Sequence, residues 1–409
     1  MRRGILLIAL GTMLATAAGR ASPAPSAATP PEFADLYAAL EGRLQVISRA
    51  VVARWDGERH PVVFAAELLA ANGNRGEQLL TDRAWQGVLV NLDRLQRLGA
   101  RGIVVKIGYP LLVPTFPRAA DYLAFYTRLA QEIRRRNLVL LAKTTAIFRN
   151  PVFSAVPVNY AGLTLDRFRR EKRQMVETII REVRPDYLTV DNEPGTEGQN
   201  TGLSFTVAAF TEVAQFVTNG LDRRGVRIGA GAGSWDDLTY FQSLAQHTSL
   251  DYLDVHIYPV NRDYVADRVF RIAEIARGSG KKVVIGESWL YKSRNSELAG
   301  SIAAAADLFA RDVFGFWEPL DERFVEVMGV LSHAVKVEFT SFFWSRYFFA
   351  YVDYTDWTRR LSPAEVFRLA NEAAARNMLA DPPRLTQSGV AFQKVSASTA
   401  APAPSPGRW

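Results

Sequence analysis

Short apolar runs, rich in β-branched residues, alternate along this chain with longer segments whose apolar positions recur every three or four residues. The short runs span residues 60–69, 102–112, 138–148, 187–193, 226–235, 253–260, 282–290 and 337–349. Several are apolar without interruption, as in Ile103-Val104-Val105 and Val283-Val284-Ile285. Strands covered on both faces read this way, which points to a parallel sheet. The longer segments, among them 82–98, 119–136, 165–181 and 204–224, carry the spacing of amphipathic helices. Strand and helix alternating eight times predicts a single (β/α)8 barrel of the α/β class. A doubly wound open sheet is the competing architecture, and its first strand normally runs into a glycine-rich phosphate loop. Here the first run leads into Leu69-Ala70-Ala71-Asn72-Gly73, which is not such a loop. Residues 32–54 predict an extra N-terminal helix that closes the bottom of the barrel or packs on its side. Residues 294–320 read as an insertion after the seventh strand, with Phe314, Phe316 and Trp317 either over the rim or in the core.

The two ends differ in character from this span. Arg2 and Arg3, an apolar run over 5–14 and small residues through Gly19 and Ala21 read as a secretory signal over 1–21. That run is too short to cross a bilayer. Residues 22–31 form an Ala/Pro/Ser-rich linker, 32–382 the barrel, and 383–409 a tail whose end has the same composition as the linker. The expectation is a secreted or periplasmic monomer without a membrane anchor. The absence of cysteine excludes lipoprotein attachment, disulfides, thiol chemistry and cysteine-based metal sites. The formal charge is +7, and loss of Arg2, Arg3 and Arg20 with the signal lowers it to +4. The basic runs at 134–136 and 167–173 carry helix formers and interleaved acids, the pattern of solvated helix faces rather than a nucleic-acid site. An acidic saccharide is compatible with this charge but weakly supported by it.

In such barrels catalytic side chains stand at the C-terminal ends of the strands. The fourth run ends in Asp191-Asn192-Glu193-Pro194, the sixth in His256-Ile257-Tyr258-Pro259 and the seventh in Gly286-Glu287-Ser288-Trp289, while the eighth contains Phe343-Trp344. Carboxylates on strands four and seven face each other across the mouth. Glycosidic cleavage needs such a pair, one protonated to donate to the leaving oxygen and one ionised to attack the anomeric carbon.

Asn-Glu-Pro at the end of strand four with a Glu 94 positions later at the end of strand seven resembles the clan A retaining glycoside hydrolases. These are the TIM-barrel cellulases, mannanases, galactanases and related β-glycosidases. The resemblance covers the barrel at motif level. It implies Glu193 as acid/base, Glu287 as nucleophile, Asn192 on the sugar 2-hydroxyl, Tyr258 hydrogen-bonded to the nucleophile and Trp344 as the floor beneath the cleaved sugar. It implies a carbohydrate substrate and no cofactor. The sequence departs from the clan at the top of strand two, where an arginine is usual and Val105-Lys106-Ile107-Gly108-Tyr109 stands, so Lys106 is a candidate for that charge.

Further candidates come from the strand tops themselves. His256 reads as a core histidine or a residue beside the substrate. Trp235, Trp289 and Tyr291 read as sugar platforms or as rim packing. Glu67 and Lys143 are polar groups within strands, partnered in the structure or touching substrate. The four histidines, His60, His247, His256 and His333, lack metal-ligand spacing, so no metal is expected. A barrel that binds glycan without cleaving it is the reading outside catalysis.

Overall fold

In the computed structural model the eight apolar runs close into a parallel barrel in the order β1 to β8. The structure describes residues 28–397, apart from 295 and 298–301 and the side chains of 302–305. The signal expectation and residues 22–27 of the linker therefore lie outside the described residues. The strands are β1 (Val63–Glu67), β2 (Gly102–Lys106), β3 (Val139–Lys143), β4 (Tyr187–Thr189), β5 (Arg227–Gly233), β6 (Tyr252–Ile257), β7 (Lys282–Ser288) and β8 (Phe339–Phe342). Each is shorter than its apolar run, because the run continues into the loop at the strand top.

Around them stand α1 (Ala34–Arg54), α2 (Asp82–Arg97), α3 (Ala119–Arg135), α4 (Leu165–Thr178), α5 (Pro194–Thr201), α6 (Val207–Thr218), α7 (Leu238–His247) and α8 (Arg268–Gly278). The chain closes with α9 (Ile302–Arg311), α10 (Glu318–Val335), α11 (Pro363–Leu379) and α12 (Gln387–Ala397). Several helices begin where an oxygen-bearing side chain meets the apolar period. Thr81, Thr164, Thr206 and Asp237 each accept a bond from a first-turn N–H, and Ser362 with Glu365 forms a capping box.

Period-two alternation divides the strand residues between two cores. Ala65, Val104, Val139, Leu141, Tyr187, Tyr252, Val284 and Phe339 fill the barrel interior. Their neighbours Phe64, Ile103, Leu140, Leu188 and Val283 pack outward beneath the helices. Above the inner layer the same alternation continues with polar residues: Glu67, Lys106, Lys143, Thr189, Asp254 and His256.

Three expectations take a sharper form. The N-terminal helix lies on the side of the barrel against α10, with Phe33 and Tyr37 packed on Trp317. Phe316 and Trp317 are buried in that contact rather than placed over the mouth, so this part of the 294–320 segment is core. The expected tail from 383 contains α12, which docks on α10 and buries Phe392 against Phe348 at 4.7 Å. Small residues permit that docking, since a Cβ at Gly389 would meet the Phe348 carbonyl at 2.3 Å.

Candidate active site

The tops of β4, β6 and β7 bring Glu193, His256, Tyr258 and Glu287 to one wall of a cavity of about 1030 Å³. Each carboxylate reaches that wall through a local departure from regular structure. Glu193 follows β4 with φ 50° and ψ 70°, the left-handed region, and Pro194 then opens α5. A non-glycine residue there costs roughly 1–2 kcal/mol. Proline disfavours a right-handed helical conformation at the residue before it, so the pair forces a turn at the strand top.

Glu287 depends on a bulge. Asp254 pairs with Val284 but His256 pairs with Glu287, so β7 carries one more residue than β6 across this step. Val284 faces the barrel interior. The extra residue reverses the alternation and turns Glu287 inward as well. Gly286 fills the bulge because a Cβ there would stand 2.4 Å from Asp254 Oδ1, and its N–H donates to that oxygen at 2.8 Å. The other oxygen of Asp254 accepts from Thr189 Oγ1 at 2.7 Å.

The two carboxylates have different surroundings. Glu287 accepts from Lys143 Nζ on Oε1 and from the Tyr258 hydroxyl on Oε2. Burial pushes its carboxyl up, but the Lys143 ammonium and then the His256 ring outweigh burial and hold it at about 2. Glu193 accepts from Thr196 Oγ1 at 2.7 Å on Oε2, and its Oε1 lies 2.7 Å from His256 Nδ1. His256 Nε2 lies 2.8 Å from the Asn192 side-chain amide. Burial lowers the imidazole, yet the charges of Glu287 and Glu193 and the bond to Glu193 raise it to about 9. An imidazolium turns the Asn192 amide oxygen toward Nε2, whereas the neutral ring takes the amide nitrogen. Oxygens of Glu193 and Glu287 lie within 4.8 Å of each other, and His256 has a ring nitrogen within the same distance of both. These three could bracket a metal ion. Binding one would break the His256–Glu193 bond and set a dication beside the Lys143 ammonium.

The expected site residues fall into distinct groups. Asn192, Glu193, His256, Tyr258, Glu287 and Trp344 line the cavity together, joined by Tyr291. Lys143 has no exposed surface and lies behind Glu287, with Glu67 bonded to its far side at 2.8 Å. Glu67 and Lys143 are therefore not substrate contacts, because side chains lower in the barrel than Glu287 are covered by it. Lys143 on β3, rather than Lys106, is the cation that touches the nucleophile candidate.

Trp289 also leaves the candidate set. It points between barrel and helices, buried against Tyr347, Phe348 and Phe324, because β7 ends at Ser288 and the chain leaves the strand there. Trp235 packs on Tyr258 at 6.1 Å between centroids and is not among the cavity-lining residues. Sequence reasoning missed Asp254, Thr189 and Gly286, although an Asp two positions before His256 in an inward-facing strand was a readable signal.

No protein-family profile and no curated protein matches this chain. Among solved structures it is similar to an exo-β-1,4-mannosidase from Opitutaceae bacterium strain TAV5, with a TM-score of 0.53 and 13% identity. That likeness covers 83% of this chain and 60% of the mannosidase, so the chain spans about three fifths of that protein's length. What the two share is the fold. A family 1 β-glucosidase from Thermotoga maritima follows at TM-score 0.45 and 11% identity, covering 85% of this chain and 98% of that one. The virulence factor SghA from Agrobacterium tumefaciens has a TM-score of 0.45 and 12% identity, over 86% and 99% of the two chains. Among the described residues no helix is long and apolar enough to cross a membrane.

Proposed function

We propose that this protein is a secreted retaining β-glycoside hydrolase acting on a poly- or oligosaccharide, with Glu193 as acid/base and Glu287 as nucleophile. One observation carries the reading: two carboxylates with oxygens within 4.8 Å of each other line one cavity, Glu287 bonded to Lys143 and Tyr258, Glu193 to Thr196 and His256. A nucleophilic pair stands about 5–5.5 Å apart, whereas an inverting pair needs roughly 6.5–9.5 Å to admit a water. Glu287, held ionised by Lys143, attacks the anomeric carbon as the glycosidic C–O bond breaks. The proton shared by Glu193 and His256 passes from Glu193 to the leaving oxygen. Glu193 then takes a proton from water, the water oxygen displaces Glu287, and the sugar leaves with its configuration retained. Trp344 supplies an apolar floor and Asn192 an amide beside the pair. The barrel shared with the mannosidase is consistent with this chemistry. The mature chain is proposed to begin soon after Ala21, to carry no membrane anchor and to act as a monomer.

The test is a pair of variants assayed on aryl β-glycosides and β-linked polysaccharides, with product configuration followed by NMR. Glu287→Ala loses turnover and regains it with azide, giving the inverted glycosyl azide. Glu193→Ala retains activity only toward substrates with good leaving groups and gives the retained azide. Near wild-type activity in both variants would overturn the assignment.

A further inference from the structure

The charges lining the cavity are unequally matched. Among the described residues its only acids are Glu193 and Glu287, and each has its own partner in His256 or Lys143. Its cations include Arg75, Arg83, Lys106 and Arg346, and none of these four makes an ion pair among the described residues. Lys106 is 5% exposed, and among the described residues its ammonium meets only the Phe148 ring, 4.1 Å from the centroid. Among the described residues the Arg75 side chain has no ion pair, and its Nε is buried without a hydrogen-bond partner.

Both groups belong to the same wall. Arg75 lies in the loop after β1, beside Asn74, whose side-chain oxygen accepts the Phe148 N–H at 3.0 Å. Lys106 ends β2 and sits over that same Phe148. Burial of a cation without a counter-ion is costly. Desolvation accordingly holds Lys106 down at about 8, despite the more distant charge of Glu287. The usual clan arginine at this strand top would serve the nucleophile, but Lys143 already does so here, which leaves Lys106 free.

We infer that the cavity binds an anionic saccharide, one bearing a carboxylate or sulfate, with Arg75 and Lys106 as the residues that recognise the charged substituent. This rests on the glycosidase reading for the location of the bond that is cleaved, though not for binding. The planar guanidinium of Arg75 offers paired N–H donors that match a carboxylate or sulfate edge, and Lys106 adds a point charge nearer the catalytic pair.

The experiment measures binding by calorimetry to matched β-linked tetrasaccharides of the gluco, manno, galacto and xylo series. Each neutral member is compared with its uronate or carboxymethylated and its 6- or 2-sulfated counterpart. In at least one series the anionic member should bind roughly 10-fold or more tightly than the neutral one. Arg75→Gln and Lys106→Met should each remove most of that advantage, leave neutral binding unchanged and leave the melting temperature unchanged or higher. The uronate and sulfate arms show which anion is preferred. Equal or tighter binding of the neutral member in every series, or no binding of any anionic member, would overturn the inference. So would variants that lose neutral and anionic binding alike. Charge-dependent binding without hydrolysis would sink the glycosidase reading and leave this one standing. Hydrolysis of neutral glycans untouched by either variant would do the reverse.

Discussion

Lys143→Met tests the electrostatic design of the site most directly. Lys143 has no exposed surface and its ammonium bridges Glu67 and Glu287. Methionine keeps a similar volume but removes the charge, so two buried carboxylates then face each other across an apolar side chain. Holding Glu287 at about 2 rather than 4.5 corresponds to about 3 kcal/mol in favour of its carboxylate, at about 1.4 kcal/mol per pH unit. Lys143 is the largest favourable contributor, ahead of His256 and Tyr258. Without it, burial and the Glu67 charge push Glu287 upward by roughly two units or more.

Breaking a buried pair this way typically costs about 3–5 kcal/mol of stability. Protonation of Glu67, which burial already raises, recovers part of that cost. The sign over pH follows from the lowered Glu287 carboxyl. Its contribution to stability is fully present above about pH 4.5 and disappears as pH falls through about 2. The variant's deficit should therefore be largest near neutrality and narrow in acid. Urea unfolding from about pH 2 to about pH 7 reads the stability, and carboxyl 13C NMR of glutamate-labelled protein reads the Glu287 titration without needing turnover. Adding Glu67→Leu should restore much of the stability without restoring the low titration. A variant that unfolds at the wild-type urea concentration at neutral pH, with Glu287 titrating as before, would refute the reasoning.

Two further outcomes follow from the same geometry. His256 is raised to about 9, so the stability from its charged form is complete below about pH 6.5 and lost as pH rises through about 9; the melting temperature of wild type should fall over that window relative to His256→Gln, and parallel curves would count against a charged ring. Gly286→Ala places a methyl 2.4 Å from Asp254 Oδ1, and it should cost about 1–3 kcal/mol in thermal unfolding and cut turnover sharply by displacing the Glu287 bulge; unchanged melting would show that the bulge accommodates a side chain.

The barrel was legible in the chain because its determinants are local. Eight apolar runs and the amphipathic segments between them specify strand and helix through periods that need no knowledge of distant contacts. That Glu193, Tyr258 and Glu287 line one cavity was legible because strand tops share one face of such a barrel, and those positions can be counted along the sequence. The partners of these residues were not legible. Lys143 and Lys106 end adjacent strands at the same register, yet Lys143 contacts Glu287 and Lys106 rests on Phe148. That choice depends on how the strands curve around the barrel. Glu287 illustrates the same limit, since strict alternation cannot assign its face once a bulge has shifted the parity of β7, and Trp289 lies beyond the end of that strand. The bulge itself is fixed by Asp254 on a neighbouring strand, whose carboxylate leaves no room for a Cβ at Gly286. Local periodicity set the elements and their order. Which polar groups meet, and which cation is left without a partner, was decided by closure of the barrel, because it brings together residues far apart in the chain.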